Sequence, residues 1–429
     1  MKKLLHKTGA FLSGTFWVVP SLMVVLGVLG AQALVAIDRQ GVLPDSWLSA
    51  WLYNGSGTGA RTLLGAVASS TIGVAGTVFS ITIAALSLAA GQMGPRLLRN
   101  FTQDRGNQVT LGAFLGTFSY ALLVLRSVRT QEEGVFVPHL SLTVAIALAL
   151  VCVGTLVYFV GHMASRINVD TVIDLVSEDL RAGIRRLTAD VPQAAAPGPD
   201  FWAGGESVRD PRRGYLQHFD AQGLADWAAA NGTAIRLLVR PGDYVFPGAP
   251  IAVVKPARDG ALDAIRSATS LGGERSSEAD IEFAIRQLVE VADRALSPGT
   301  NDPYTAISVL DRLGASLCDI ADCDLPAGVF LRDGKVALEA PAVDYYGLVD
   351  AMFHLIRQDG AGSAAVLIRM VDVLAAAATC ERRPERLDTL RRHVALVVAD
   401  ARRTIPNPSD LADLLRREAR FLDHCAAAD

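Results

Sequence analysis

Two stretches of the sequence carry side chains whose type and spacing could do chemistry. The first is Ser297-Pro298-Gly299-Thr300-Asn301-Asp302-Pro303, with Arg275, Arg286 and Arg294 upstream of it. Guanidinium groups offer paired donors to an oxyanion, and a helix starting at Pro303 has free backbone N–H groups at Tyr304 and Thr305. The stretch therefore suits a small anion or phosphate, with Ser297, Asn301 and Thr305 completing the site. The same residues also make an ordinary helix connection, in which Pro298 and Gly299 end one helix, Asp302 caps the next and Pro303 takes its first position. The second stretch is the apolar run from Arg61 to Gln92. In it Gly73, Thr77, Ser80, Ala84, Ser87 and Gly91 recur at alternating spacings of four and three, which places them on one face of a helix. In a bilayer such a face either lets a second helix approach closely or lines a permeation path.

Enzyme signatures are absent from the sequence. It has no GxxxxGK[ST], no GxGxxG following a strand, no HExxH and no GxSxG. The seven histidines, His6, His139, His162, His218, His354, His393 and His424, lack the spacing of metal ligands. The five cysteines, Cys152, Cys318, Cys323, Cys380 and Cys425, form no CxxC pair, which argues against a zinc site and a disulfide framework and fits a reducing compartment. His162 reads as an interfacial residue at the end of an apolar run. Glu282, Glu290 and Asp293 share a helix at spacings that also suit a solvated face. The expectation is a protein that is not an enzyme, with no catalytic residue, no metal and no cofactor.

The elements that must position the two stretches differ in kind. Of the 429 residues 51% are hydrophobic, and the excess lies in the first 165. Apolar runs at 11–37, 63–90, 109–128 and 140–160 are each long enough to cross a bilayer, and the first is too long for a signal peptide. Lys2, Lys3 and Lys7, then Arg96, Arg99 and Arg105, then Arg166, Arg181, Arg185 and Arg186 fall on one side of four crossings. The opposite connections are mixed, with Asp38, Arg39, Asp45 and Arg61 in one and Arg126, Arg129, Glu132 and Glu133 in the other. The count places both termini in the cytoplasm. Trp47, Trp51 and Tyr53, with Trp17 and Tyr158, suit anchoring at the membrane surface. Arg96, Arg99 and Arg105 would ring the cytoplasmic mouth of any path, favouring anions, or would simply touch lipid headgroups. Gly112 and Gly116 form a GxxxG pair suited to close packing, within or between subunits. A formal net charge of −4 gives no argument for nucleic acid as a partner.

Beyond the spans, residues 166–214 read as a helical extension, apolar at Val169, Val172, Ile173, Val176, Leu180, Ile184 and Leu187, followed by a Pro- and Gly-rich linker. Residues 215–256 alternate β-branched residues with turns at Pro241-Gly242-Asp243 and Pro247-Gly248, which predicts a small β-barrel-like module. That run resembles the half-barrel repeat of biotinyl and lipoyl carrier domains and of membrane-fusion adaptors. The carrier function does not transfer, because the modified lysine of the repeat is missing and Lys255 lies beyond it. Residues 257–429 predict a cytoplasmic helical domain, with helices at 279–296, 303–321, 343–358, 362–378, 384–404 and 408–424 and a hairpin turning at Asp333-Gly334.

Together the spans, the loop Pro95-Arg96-Leu97-Leu98-Arg99-Asn100-Phe101 and the run Ala295-Leu296-Ser297-Pro298-Gly299-x-Asn301-Asp302-Pro303-x-Thr305-Ala306 resemble a bacterial family of predicted membrane proteins known only as a domain of unknown function. The resemblance covers nearly the whole chain and implies a four-helix membrane domain with a large cytoplasmic part. It brings no activity, substrate or catalytic residue. The expected fold is mainly α: a four-helix transmembrane domain, then a small β-barrel-like module, then a cytoplasmic helical domain. The expected function is an oligomeric inner-membrane channel or channel-like transporter with a cytoplasmic vestibule or gating domain, the permeant unspecified and an anion slightly favoured. The alternative is a non-conducting scaffold or ligand sensor using the Ser297–Pro303 region. The partners expected are the lipid bilayer, further copies of the chain and a small anion or phosphate.

Overall fold

The computed structural model describes residues 16–40, 53, 55–93, 104–129, 136–166, 168–188, 194–273, 275 and 281–428. Trp47, Trp51, Arg96 and Arg99 lie outside the described residues, as does the start of the first predicted span. The chain forms two compact units, Met1–Thr171 and Val172–Asp429, and each is described by itself.

The four predicted spans are four helices, α1 (Val18–Gln40), α2 (Gly57–Met93), α3 (Arg105–Ser127) and α4 (His139–Arg166). All four are long and apolar enough to cross a membrane. Helix α3 is central, because its small residues admit a neighbour on one side while Phe114, Tyr120 and Val124 fill the space on the other. The GxxxG pair packs within the chain, against α1. A Cβ on Gly116 would lie 2.9 Å from the Met23 carbonyl oxygen, one on Gly27 would lie 2.4 Å from the Gly116 carbonyl oxygen, and one on Gly112 would meet the Met23 sulfur at 2.5 Å. The matched pairs Met23 with Gly112 and Gly27 with Gly116 mean that α1 and α3 run in the same direction. Without water to expel, such backbone approach is what holds helices together in lipid. One apolar cluster gathers Val35, Leu64, Tyr120, Val124 and Leu142 at one end of the bundle, and another gathers Val78, Phe114, Cys152, Phe159 and Met163 toward the other.

In the second unit α5 (Val169–Leu187) buries the predicted face through Val172, Ile173, Val176, Leu180 and Ile184. The following stretch, expected to be an exposed linker, instead buries Trp202 and supplies strand β1 (Glu206–Arg209). Strands β2 (Gly214–Phe219), β3 (Ala234–Leu237), β4 (Tyr244–Val245), β5 (Pro250–Lys255) and β6 (Thr269–Gly272) follow, with α6 (Ala221–Ala230) and α7 (Ala261–Ala268) between them. The predicted hairpin is β7 (Val329–Arg332) and β8 (Lys335–Glu339), turning through Asp333 and Gly334 at positive φ of 51° and 72°.

These strands do not close into the barrel expected from the sequence. They form a five-stranded sheet in the order β1-β5-β3-β8-β7 and a three-stranded sheet in the order β4-β2-β6. The turns read from the sequence are present, with Gly242 and Gly248 at φ 95° and 80°. What local pattern could not reveal is the partner of β3, whose second edge pairs in parallel with β8 through Ile235 with Leu338 and Arg236 with Glu339. Leu224, Ala228, Ile235, Ile251, Val254, Ile265 and Leu338 make the core between this sheet and the helices α6 and α7.

The remaining helices lie close to the predicted positions: α8 (Ile281–Leu296), α9 (Pro303–Ala321), α10 (Tyr345–Asp359), α11 (Ala364–Cys380), α12 (Pro384–Thr404) and α13 (Pro408–Ala428). Asp302 and Asp344 cap α9 and α10 through their carboxylates, which satisfies first-turn N–H groups that would otherwise lack partners. Leu288, Leu310, Leu313, Leu348, Met352, Phe353, Leu367, Met370, Leu390 and Val394 are fully or almost fully buried in this bundle.

Candidate functional site

The face of α2 singled out from the sequence is turned away from the rest of the membrane unit. Gly73, Thr77, Ser80, Ala84 and Ser87 are exposed, and the surroundings of Gly91 lie outside the described residues. The residues that pack α2 onto the bundle are instead Leu64, Ala68, Thr71, Ala75, Val78, Thr82 and Ala85, all buried. Within this chain the ribbon is thus not the face that packs α2 onto its neighbours. Two hydroxyls on the ribbon are satisfied within the helix: that of Thr77 donates to the Gly73 carbonyl at 3.2 Å and that of Ser80 to the Gly76 carbonyl at 2.9 Å. Each hydroxyl therefore presents lone pairs outward. A Cβ at Gly73 or Gly76 would meet nothing within 4 Å, so the ribbon leaves room along the helix.

The Ser297–Pro303 stretch resolves as a helix connection. The Ser297 hydroxyl donates to the Arg294 carbonyl, and the N–H groups of Asn301 and Asp302 close the end of α8 on the carbonyls of Ser297 and Ala295. Asn301 takes a positive φ of 48°, which its side chain tolerates. Contrary to the sequence expectation, the Tyr304 and Thr305 N–H groups are not free for an anion. Both donate to Asp302 Oδ1, at 3.1 and 3.2 Å, and the Thr305 hydroxyl donates to Oδ2 at 2.6 Å. That hydroxyl, followed by the two N–H groups and opposed by burial, holds the Asp302 carboxyl below the usual range, so a fixed negative charge occupies the helix start. Upstream, Arg294 pairs with Glu290 at 3.5 Å and Arg286 with Glu282 at 3.2 Å, while Arg275 is half-buried before α8.

The carboxylates of α8 do not form the solvated face their spacing suggested. Glu282 is buried and holds the Arg240 guanidinium at 2.5 Å as well as Arg286. Asp293 faces Asp359 at the end of α10, and burial, then the hydrogen bond to Asp293 and its charge, pushes the Asp359 carboxyl up to about 6. A carboxyl raised in the folded state stabilises fully below its unfolded value of 3.8, and that contribution is lost as pH rises through about 6. Asp359→Asn should therefore raise the thermal stability of this unit at pH 8 while leaving it nearly unchanged below pH 3.8. Because Asp359 is exposed and solvent screens the pair, the gain is about 1 kcal/mol or less, read as a shift of roughly 2–4 °C in Tm across a pH series.

Two polar clusters pin the ends of the membrane unit. At one end Asp38 of α1 accepts from the N–H groups of Leu140 and Ser141 at 3.1 and 3.0 Å and from the Ser141 hydroxyl at 2.6 Å, capping α4 from another helix. The Tyr120 hydroxyl donates to the Ser141 carbonyl at 3.0 Å in the same place. At the other end Asp104 caps α3, accepting from Gly106 N–H at 2.7 Å, and meets His162 Nε2 at 2.7 Å. Tyr158 stacks on the His162 ring at 5.2 Å. His162 is thus more than the interfacial residue expected: it joins α4 to the capping carboxylate of α3. Arg105 is exposed beside this cluster. Neither cluster was visible in the sequence, since each joins residues more than fifty positions apart, although the pairing of an Asp with the first residues of a span is a capping signal.

Comparison with known proteins gives one family and a set of relatives. Residues 13–376 match the family model described as Predicted membrane protein (DUF2254). Uncharacterized proteins of Mycobacterium tuberculosis and Mycobacterium bovis are 33% identical over 427 residues, covering 96% of this chain and 80% of theirs. No solved structure matches.

Proposed function

The chain belongs to the DUF2254 family of predicted membrane proteins, and we propose that it is an oligomeric, channel-like protein of the bacterial inner membrane with no enzymatic activity. In this reading both termini are cytoplasmic and α2 of each copy faces a central path. The supporting observation is the exposed ribbon of Gly73, Thr77, Ser80, Ala84 and Ser87 on a helix that packs onto its own bundle with a different face. Small side chains let copies approach, and the outward lone pairs of Thr77 and Ser80 suit a wet surface of low charge. Charge selection then falls to the mouth, where exposed Arg105 favours anions. The competing reading, a sensor built on Ser297–Pro303, loses its main support because Asp302 occupies the N–H groups an anion would need.

The test is flux of halide against sodium in reconstituted vesicles, with Ser80→Leu placing an apolar side chain on the ribbon. The expected result is a symmetric oligomer in detergent and a loss of flux of about tenfold or more in the variant, with folding unchanged. A monomer, or vesicles in which the variant and the wild type conduct alike, would sink the proposal. An oligomer without conductance would replace it with a scaffold.

A further inference from the structure

Two cysteines 62 positions apart in the sequence meet where α9 and α11 end. The two helices run in the same direction, as a series of contacts along them shows. Arg369 Nε donates to Asp311 Oδ1 at 2.7 Å, and further on a Cβ at Gly314 would stand 2.4 Å from Val373 Cγ1, so the helices approach closely there. About one turn past Gly314 on α9 is Cys318, and about two turns past Val373 on α11 is Cys380. The S–H of Cys318 donates to the Cys380 sulfur. Burial, then the neighbouring Cys380 thiol, pushes the Cys318 thiol up, so it rests protonated. Of the five cysteines Cys380 alone is exposed. Cys152 and Cys425 are buried, and Cys323 donates to the carbonyl of Asp319 in its own turn at 3.5 Å.

The arrangement separates two roles. An exposed sulfur meets an oxidant first, and a half-buried one in contact with it is placed to close a bond. We infer that Cys318 and Cys380 are a redox pair that a peroxide converts to a disulfide and a small thiol returns to the reduced form. The Cys380 thiolate attacks one peroxide oxygen, the O–O bond breaks, and Cys380 becomes a sulfenic acid while the other oxygen leaves as hydroxide. The Cys318 sulfur then attacks that of Cys380, the S–O bond breaks, and water leaves with the proton that Cys318 gives up. The peroxide takes the two electrons that the thiols lose. A pair that rests reduced suits a reducing compartment, where disulfides are transient and sense oxidants. The bond would fasten the last turns of α9 to the connection that leads into α12, where Arg383 already donates to the Cys323 carbonyl at 2.9 Å. The pair stands whether or not α2 lines a path.

The test exposes the full chain in mild detergent, reduced and then freed of reductant, to hydrogen peroxide, alkylates what remains as thiol and reads linked peptides by mass spectrometry. The Cys318–Cys380 link should exceed every other cysteine pair by roughly tenfold or more, since contact in the fold raises the local concentration of one partner alone. Dithiothreitol should remove it, and in urea the preference should vanish. Cys380→Ser, at an exposed position, should leave Cys318 open to alkylation after peroxide. Cys318→Ser should accumulate Cys380 sulfenic acid, trapped by dimedone. If Cys318→Ser does not fold, wild type and Cys380→Ser still decide the matter. Another pair linked as often in the folded chain, or Cys380 oxidised beyond the sulfenic acid while Cys318 is still alkylated, overturns the inference.

Discussion

Gly116→Val should unfold or loosen the four-helix unit, and Gly27→Val should do the same from the opposite side of the contact. A Cβ at Gly27 would stand 2.4 Å from the Gly116 carbonyl oxygen and one at Gly116 would stand 2.9 Å from that of Met23, so both clashes are with backbone and no side chain can rotate away. Forcing methyl groups into a packed contact costs about 1–3 kcal/mol, and in lipid no hydrophobic term between helices compensates. The measurement is thermal melting of the full chain in mild detergent, with Gly154→Val as the control. Gly154 lies on α4 with nothing within 4 Å of its Cβ position, so its variant should melt like wild type. Equal melting of Gly116→Val and Gly154→Val would show that α1 and α3 do not meet as described.

The second large effect is expected at Arg386, near the start of α12. Its guanidinium donates to the carbonyls of Ile320 at 3.1 Å, Ala321 at 3.4 Å and Cys323 at 2.9 Å, and so caps the end of α9. It also meets Glu381 Oε2 at 3.2 Å and lies over the Tyr345 ring at 4.9 Å. Glu381 is 4% exposed, so removing Arg386 leaves its buried charge without a guanidinium partner and held by the N–H groups of Arg382 and Arg383, at a cost of about 3 kcal/mol. Arg386→Met should lower the melting temperature of the second unit by roughly 10 °C. Arg386→Lys keeps the charge but cannot reach four acceptors with one ammonium, so it should fall between the two. A melting temperature unchanged in Arg386→Met would refute the capping role.

These two sites show what a sequence carries and what it does not. The apolar runs gave the spans, and Pro303, Pro384 and Pro408 gave the starts of three helices, because each signal is local: a run of residues or a ring that fixes φ. Gly112 and Gly116 announced close packing, but their partner Gly27 carries no mark distinguishing it from other glycines in apolar runs. The reading of β2 to β5 as a barrel failed for the same reason, since the edge of β3 is claimed by a strand about a hundred residues later. The ribbon on α2 was legible as a face, but not which way it turned, since periodicity fixes which residues share a side and leaves their neighbour open.

The late arrival of β8 has a consequence for synthesis. At about 5–20 residues per second, a ribosome that has released β3 needs roughly 5–20 s more before the strand that completes that edge emerges. Throughout that interval Ile235 and Arg236 lie on a strand edge that has no partner. A chaperone that shields nascent chains, or slow codons placed after β8 and not before it, would decide how much of this protein reaches its finished form.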